Sequence, residues 1–226
     1  MRSLGLPLPH IPNVPWRKLP TLHFAELVHV GSLDAPLKRT ASSYEGLGLS
    51  VCLDPEVWEA ITPLGGPRWL LIPRDTRRET EFVDYHRLSK RQRAAITRVA
   101  VRVGWLRATD QFELRSYDEE FERTVCSIHA TRADAESERG DTEGGRISPR
   151  TVFVATLSLQ ALWRLRFTHP LSDSMAEEVA HTLILEARGR YDGVYWDDDD
   201  DPVRLSAPRG VIFQSALQRW TEHRAT

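Results

Sequence analysis

Three clusters hold residue types that chemistry needs. The first is Leu27-Val28-His29-Val30-Gly31-Ser32. A histidine near the end of an apolar strand, followed at once by glycine and serine, puts an imidazole at a sheet edge beside backbone donors. Imidazole both donates and accepts, so the group suits a hydroxyl-bearing ligand such as a ribose. A satisfied structural histidine fits the same residues. The second cluster is Ser43-Tyr44-Glu45-Gly46-Leu47-Gly48-Leu49-Ser50. Its glycines permit close approach of the backbone to a ligand, and Tyr44 offers a ring face to a flat heterocycle. An ordinary turn leading into a strand looks the same.

The third cluster runs from Tyr191-Asp192-Gly193-Val194-Tyr195-Trp196 into five aspartates, Asp197 to Asp201. Adjacent carboxylates repel one another, which raises some of their pKa values or recruits a cation. A solvated acidic loop is the plain alternative. Two features set this run apart. Its first members abut Tyr195 and Trp196, and it leads through Leu205-Ser206-Ala207-Pro208-Arg209 to Gly210 and a new strand. A carboxylate held between two strand ends can stabilise an oxocarbenium-like transition state or orient a nucleophile.

The elements that must position these residues can be traced along the chain. Residues 22–31 and 46–53 read as strands, and 69–72 as a third. Asp54 caps a helix with Pro55 at its first position. Ser89 and Gln92 form a capping-box pattern ahead of the apolar face Ile96, Val99, Ala100 and Val103. Residues 112–117 and 121–129 read as a hairpin, Thr131 to Arg139 as a short polar helix, 150–155 as a strand and Ser158 to Arg166 as a helix. Ser174 and Glu177 form a second capping-box pattern, opening a helix that buries Val179, Leu183 and Ile184 and stops at Gly189. Strands at 193–196 and 210–213 follow, and Leu217 and Trp220 suggest a closing amphipathic helix. Helices interrupt the strands without strict alternation, which predicts an α+β fold.

Composition narrows the partners. The chain has 226 residues, 30 basic and 32 acidic, for a formal net charge of −2. A binder dominated by phosphate contacts carries a basic surplus, so the balance argues against a nucleic-acid partner. Apolar residues at 41% and charged residues at 27% fit one globular domain spanning 1–226. Cys52 and Cys126 lie far apart and read as free thiols of a reducing compartment. Five prolines between Pro7 and Pro20 rule out a helical signal-peptide core, leaving residues 1–20 as an extended lead-in. No apolar run approaches the roughly 18 residues that span a bilayer. The expectation is a cytoplasmic protein with no membrane partner.

Read in order, the three clusters resemble the ADP-ribosyltransferase superfamily. His29 with Gly31 and Ser32 matches its first-strand segment. Tyr44 to Ser50 matches its Y-x-G-x-G-L-apolar-S segment, and Asp197 to Asp201 its late acidic position. The stretch Tyr191 to Val194 is similar to the late segment of phage and polyvalent-protein members. The likeness covers residues 22–60 and 175–215; the middle, 63–170, matches nothing in the family. It implies a split β-sandwich with inserted helices and NAD, as substrate, in the cleft. In that picture His29 holds the adenosine-side ribose, and backbone groups at Gly31 and Ser32 meet the nicotinamide amide. Tyr44 stacks on the nicotinamide ring, and Ser50 closes the glycine segment at the cofactor. Asp198, with Asp197 as alternate, bonds the ribose 2′-hydroxyl and favours the cation formed as nicotinamide leaves. Many members place a glutamate in or just before the final strand. Here Arg209 precedes that strand and Gln214 follows it, so the acid falls to the aspartates.

The resemblance also implies a macromolecular acceptor, a protein rather than a nucleic acid, no metal, and room for an inhibitory partner. Three other readings share the residues. An NAD glycohydrolase or phosphorylase toxin would use the same cleft with water or phosphate as nucleophile. A cation-binding protein would use the aspartates, although five in a row lack the spaced ligands and turn glycine of an EF-hand loop. An interaction module would use Trp16, Trp220 and the proline-rich start.

Overall fold

The structure is a computed structural model describing residues 18–33, 48–61, 66–118, 122–140, 144–165, 167–197 and 207–225. It is α+β, with three sheets. In chain order the elements are β1 (Thr21–Leu22), β2 (Leu27–Val30), β3 (Leu49–Val51), α1 (Pro55–Ile61), β4 (Arg68–Pro73), β5 (Phe82–Asp84) and α2 (Lys90–Arg102). Then come β6 (Leu106–Asp118), β7 (Arg123–His129), α3 (Arg132–Arg139), β8 (Arg146–Ala155), α4 (Leu157–Arg164) and α5 (Asp173–Ala187). The chain closes with β9 (Gly193–Trp196), β10 (Arg209–Ile212), a 3-10 turn over Leu217–Arg219, and β11 (Trp220–Arg224). Packing divides it into two compact units, one of residues 1–106 with 155–226, the other of residues 107–154. No helix among the described residues is long and apolar enough to cross a membrane.

The larger unit holds two sheets. One has the order β1-β5-β9-β10-β3, the other β11-β4-β2. All neighbouring strands in these two sheets are antiparallel except β5 and β9, which run parallel. Among the described residues the sheets meet at a single bridge, where Val28 and Cys52 exchange both backbone hydrogen bonds at 2.9 Å. Across this seam Phe82 of β5 packs edge-on against Trp220 of β11, centroids 6.0 Å apart. Every residue of β9 is buried, as its unbroken apolar run requires. Helices α2 and α5 pack together through buried faces that include Ile96, Val99 and Ala100 on one side and Val179, Leu183 and Ile184 on the other.

The smaller unit is a three-stranded sheet in the order β7-β6-β8, with α3 against β7. Leu114 and Ala135 form its buried centre. The carboxylate of Glu113 is shared by Arg115 and by Arg150, whose Nη1 lies 2.7 Å from it.

Local signals were obeyed where they concern backbone hydrogen bonds. Asp54 Oδ1 accepts the N–H of Glu56 at 2.9 Å, and both halves of the Ser89–Gln92 box form. Three readings need correction. The strand expected over 22–31 is two strands, because Thr80 binds Phe24 through both its N–H (2.7 Å) and its C=O (3.0 Å) and draws residues 23–26 out of register. The box at Ser174 and Glu177 does not form: the helix opens two residues earlier, after Ser172, with Asp173 in its first turn. The closing amphipathic helix is only a 3-10 turn, followed by β11. Pairing with β4 gives both backbones partners and seats Trp220 in the core, whereas a helix would leave the β4 edge open.

A buried hydrogen-bond chain fastens α2 to α5. His181 is fully buried, with Nδ1 3.0 Å from the Tyr85 hydroxyl and Nε2 2.8 Å from that of Thr97. The single hydroxyl hydrogen of Thr97 goes to an acceptor-only group, either Glu177 Oε1 at 2.7 Å or the Arg93 carbonyl at 3.0 Å. Nε2 of His181 must therefore donate, and Nδ1 accepts from Tyr85. Burial lowers the His181 pKa from 6.5 to about 3, with the Arg93 charge adding to it.

Two outcomes follow for stability. Ile184→Ala should cost about 2–5 kcal/mol in chemical denaturation, and a loss under about 0.5 kcal/mol would place α5 outside the core. For His181, the unfolded chain takes up a proton near pH 6.5 that the folded chain refuses until about pH 3. Its contribution is thus complete above pH 6.5 and declines as the pH falls, by at most about 1.4 kcal/mol per unit. Denaturation of wild type and His181→Gln between pH 6.5 and 5 should show the steeper decline in wild type. Parallel curves would contradict the neutral, buried assignment.

Candidate functional site

The strand registers align one row of side chains. Val28 opposite Cys52 places His29 level with Val51; Val51 pairs with Gly210, Gly210 with Tyr195, and Tyr195 with Asp84. In the other sheet His29 pairs with Trp69, and Trp69 with Arg224. Directly opposed residues share a face. The row Arg224–Trp69–His29–Val51–Gly210–Tyr195–Asp84 therefore crosses the seam between the sheets, with His29 at the crossing.

His29 is buried, and its Nδ1 donates to the Ser50 carbonyl at 2.8 Å. That bond places a ring proton on Nδ1. Gly31 follows with φ +123°, a conformation L side chains rarely adopt, and the position a Cβ would occupy is 3.5 Å from His29 Nε2. The expected backbone offer at Gly31 is already engaged: its N–H binds the Pro67 carbonyl at 3.0 Å and its C=O accepts the Trp69 indole at 2.9 Å. The exposed backbone at this strand end begins with Ser32.

Gly210 lets the Tyr195 ring lie across β10. A Cβ there would stand 2.6 Å from Tyr195 Cδ2 and 3.0 Å from the Val194 carbonyl. Phe24 packs on the same ring, centroids 4.8 Å apart. One position further, Arg209 pairs with Trp196 and donates to the Ala207 carbonyl at 3.1 Å; burial pushes its guanidinium down to about 10. Cys52, at the seam, is inert as a nucleophile: burial, then the nearby Asp54 and Glu59, raise its thiol to about 12.

The structure brings together only part of the nominated set. His29, Gly31, Ser32 and Ser50 gather at the seam. Asp197 is exposed at the end of β9, two residue levels beyond the row in one direction, while Gly31 lies two levels beyond it in the other. The two are separated by about 14 Å along the strands, at roughly 3.4 Å per residue. By alternation Asp197 keeps the face of Tyr195 and His29. Tyr44 and Asp198, with the remaining aspartates, lie outside the described residues.

Two carboxylates have roles the sequence did not suggest. Glu222 on β11 is level with Leu71 and Leu27 and shares the face of Trp220. Reading Trp220 as helical hid the alternation that marks it. Asp192, read within the third cluster, is buried and structural. Its Oδ1 meets Arg219 Nη1 at 2.6 Å and Arg78 Nη2 at 3.5 Å, and its Oδ2 accepts the Glu81 N–H at 2.9 Å. Among the described residues no group of three or more His, Cys, Asp or Glu side chains is placed to hold a metal ion. Comparison with protein-family models, curated proteins and solved structures returns no match for this chain.

Gly210→Ala should displace the Tyr195 ring and cost about 1–3 kcal/mol, as overpacking of a filled site does. Near-ultraviolet circular dichroism and denaturation would read both effects. An unchanged aromatic spectrum with full stability would mean that the ring does not lie over Gly210.

Proposed function

We propose that the chain is an NAD-consuming enzyme of the ADP-ribosyltransferase type, with its two larger-unit sheets acting as the halves of a split β-sandwich. It cleaves the nicotinamide–ribose bond and passes ADP-ribose to a macromolecular acceptor, a protein by preference. The observation that carries this reading is the position of His29. Its imidazole is oriented by the Ser50 carbonyl and stands beside the bridge that joins the two sheets. In this reading the imidazole holds the adenosine-side ribose. Ser32 then offers its backbone to the nicotinamide amide, and Tyr44 its ring.

In the reaction the C–N bond to nicotinamide breaks with its electron pair leaving on the base. The nucleophile of the acceptor forms the new bond at the same carbon and gives up its proton. A carboxylate beside the ribose stabilises the cationic intermediate stage, and the reading assigns this to Asp198 or Asp197. Glu222 is the competing candidate, since it lies on a rigid strand facing the interior. A glycohydrolase with water as nucleophile needs the same residues, so acceptor labelling separates the two activities.

Nicotinamide release from NAD tests the proposal directly. His29→Ala should lower it. Asp197→Asn/Asp198→Asn should lower it at least about a hundredfold, the usual worth of a transition-state charge contact of about 3 kcal/mol. Asp200→Asn and Asp201→Asn should change little. Unaltered release in the folded double variant, with a large loss in Glu222→Gln, would move the acid to β11. No release from wild type, with or without candidate acceptor proteins, would overturn the enzyme reading.

A further inference from the structure

We propose that a second site, independent of the NAD reading, binds a phosphate group in the cavity between the β4–β5 connection and the start of β11. The cavity holds about 230 Å³, and its walls include Arg74, Arg78, Asp192, Arg219 and Trp220. Water occupies about 30 Å³ per molecule, so the space admits a phosphate with part of its ester.

The argument rests on guanidinium groups in excess of structural need. Asp192 is the buried carboxylate of the cavity. Arg219 alone balances its charge, with Nη1 2.6 Å from Oδ1, and the Glu81 N–H satisfies Oδ2 at 2.9 Å. Arg78 Nη2 stands off at 3.5 Å from the same Oδ1, and its side chain is 46% exposed. It is not required to hold the fold. Arg74 is pinned from behind: its backbone N–H binds the Arg219 carbonyl at 2.8 Å and its Nε binds the Trp220 carbonyl at 3.0 Å. Its two Nη nitrogens meet no protein acceptor among the described residues. The rim also carries two exposed carboxylates, Asp75 and Glu79. Asp75 Oδ1 accepts the Arg77 N–H at 3.0 Å, and exposed Glu79 sits 3.8 Å from His23 Nδ1.

A fixed Arg74 fork and a movable Arg78 thus share one concave space. Planar, multiply donating guanidinium groups match the oxygens of a phosphate better than a point charge would. Inorganic phosphate and a phosphate ester present the same group, and either could supply it.

Thermal unfolding of the full chain tests the site, with inorganic phosphate, AMP or adenosine added at constant ionic strength set by chloride. Phosphate should raise the melting midpoint saturably, and adenosine should not. A larger effect of AMP than of phosphate would identify an ester as the ligand; an equal or smaller one, the free ion. Arg74→Gln and Arg78→Gln should each weaken the apparent phosphate affinity by about tenfold or more, and His29→Ala should leave it unchanged. A midpoint that responds to phosphate no more than to chloride would overturn the proposal. So would a response identical in wild type and both arginine variants.

Discussion

Buried Asp192, through its backbone and its carboxylate together, ties four strands of the larger unit. Its backbone N–H binds the Glu81 carbonyl at 2.8 Å and its side chain binds the Glu81 N–H, joining the chain ahead of β9 to the start of β5. Its carbonyl accepts the Phe213 N–H at 2.9 Å, at the end of β10, and Arg219 reaches it from just before β11. A charge buried this deeply persists only when it is paired and its remaining lone pairs are filled. Both conditions are met here: Arg219 pairs the charge, and the Glu81 N–H fills a lone pair of the other oxygen.

That tie sets the geometry of everything on the inner faces. It holds β5 and β9 in parallel register, which levels Phe82 with Gly193 and Asp84 with Tyr195. It anchors the turn from which β11 starts, so Trp220 closes on Phe82 and the second sheet is held against the first. Among the described residues, the seam at Val28 and Cys52 is then the one place where the sheets are joined by backbone bonds rather than by side chains. The residues at this seam are thus positioned from a distance, by a carboxylate outside the row. Preorganisation of this kind is what a binding or catalytic group needs from its scaffold.

The candidate site was legible in proportion to how local its signals are. His29 at a strand end beside Gly31 was visible, because an apolar strand running into glycine is a feature of neighbouring residues. The use already made of the Gly31 backbone was not, since Pro67 and Trp69 lie on another strand. Asp192 was grouped with the aspartate run on proximity in sequence. Its partners Glu81 and Arg219 are 111 and 27 residues away, and only they distinguish a buried hub from a solvated acid. Glu222 escaped notice because five residues around a tryptophan have no decisive period, and the strand exists only because β4 offers an edge.

The sequence by itself determined what hydrogen bonds within a few residues decide. It set the cap at Asp54, the capping box at Ser89 and Gln92, the helix over Arg132–Arg139 and the hairpin that precedes it. It also set the α+β class, through which segments are periodic and which are short apolar runs. Only the tertiary structure decided which strands share a sheet, that the chain packs as two units, that β5 and β9 run parallel and that the chain closes on a strand. Those choices rest on pairings between residues up to 163 positions apart, the distance from Leu49 to Ile212. A strand's partner is selected by the edge and the apolar face that remain uncovered once the other elements have packed, and no local window of sequence contains that information.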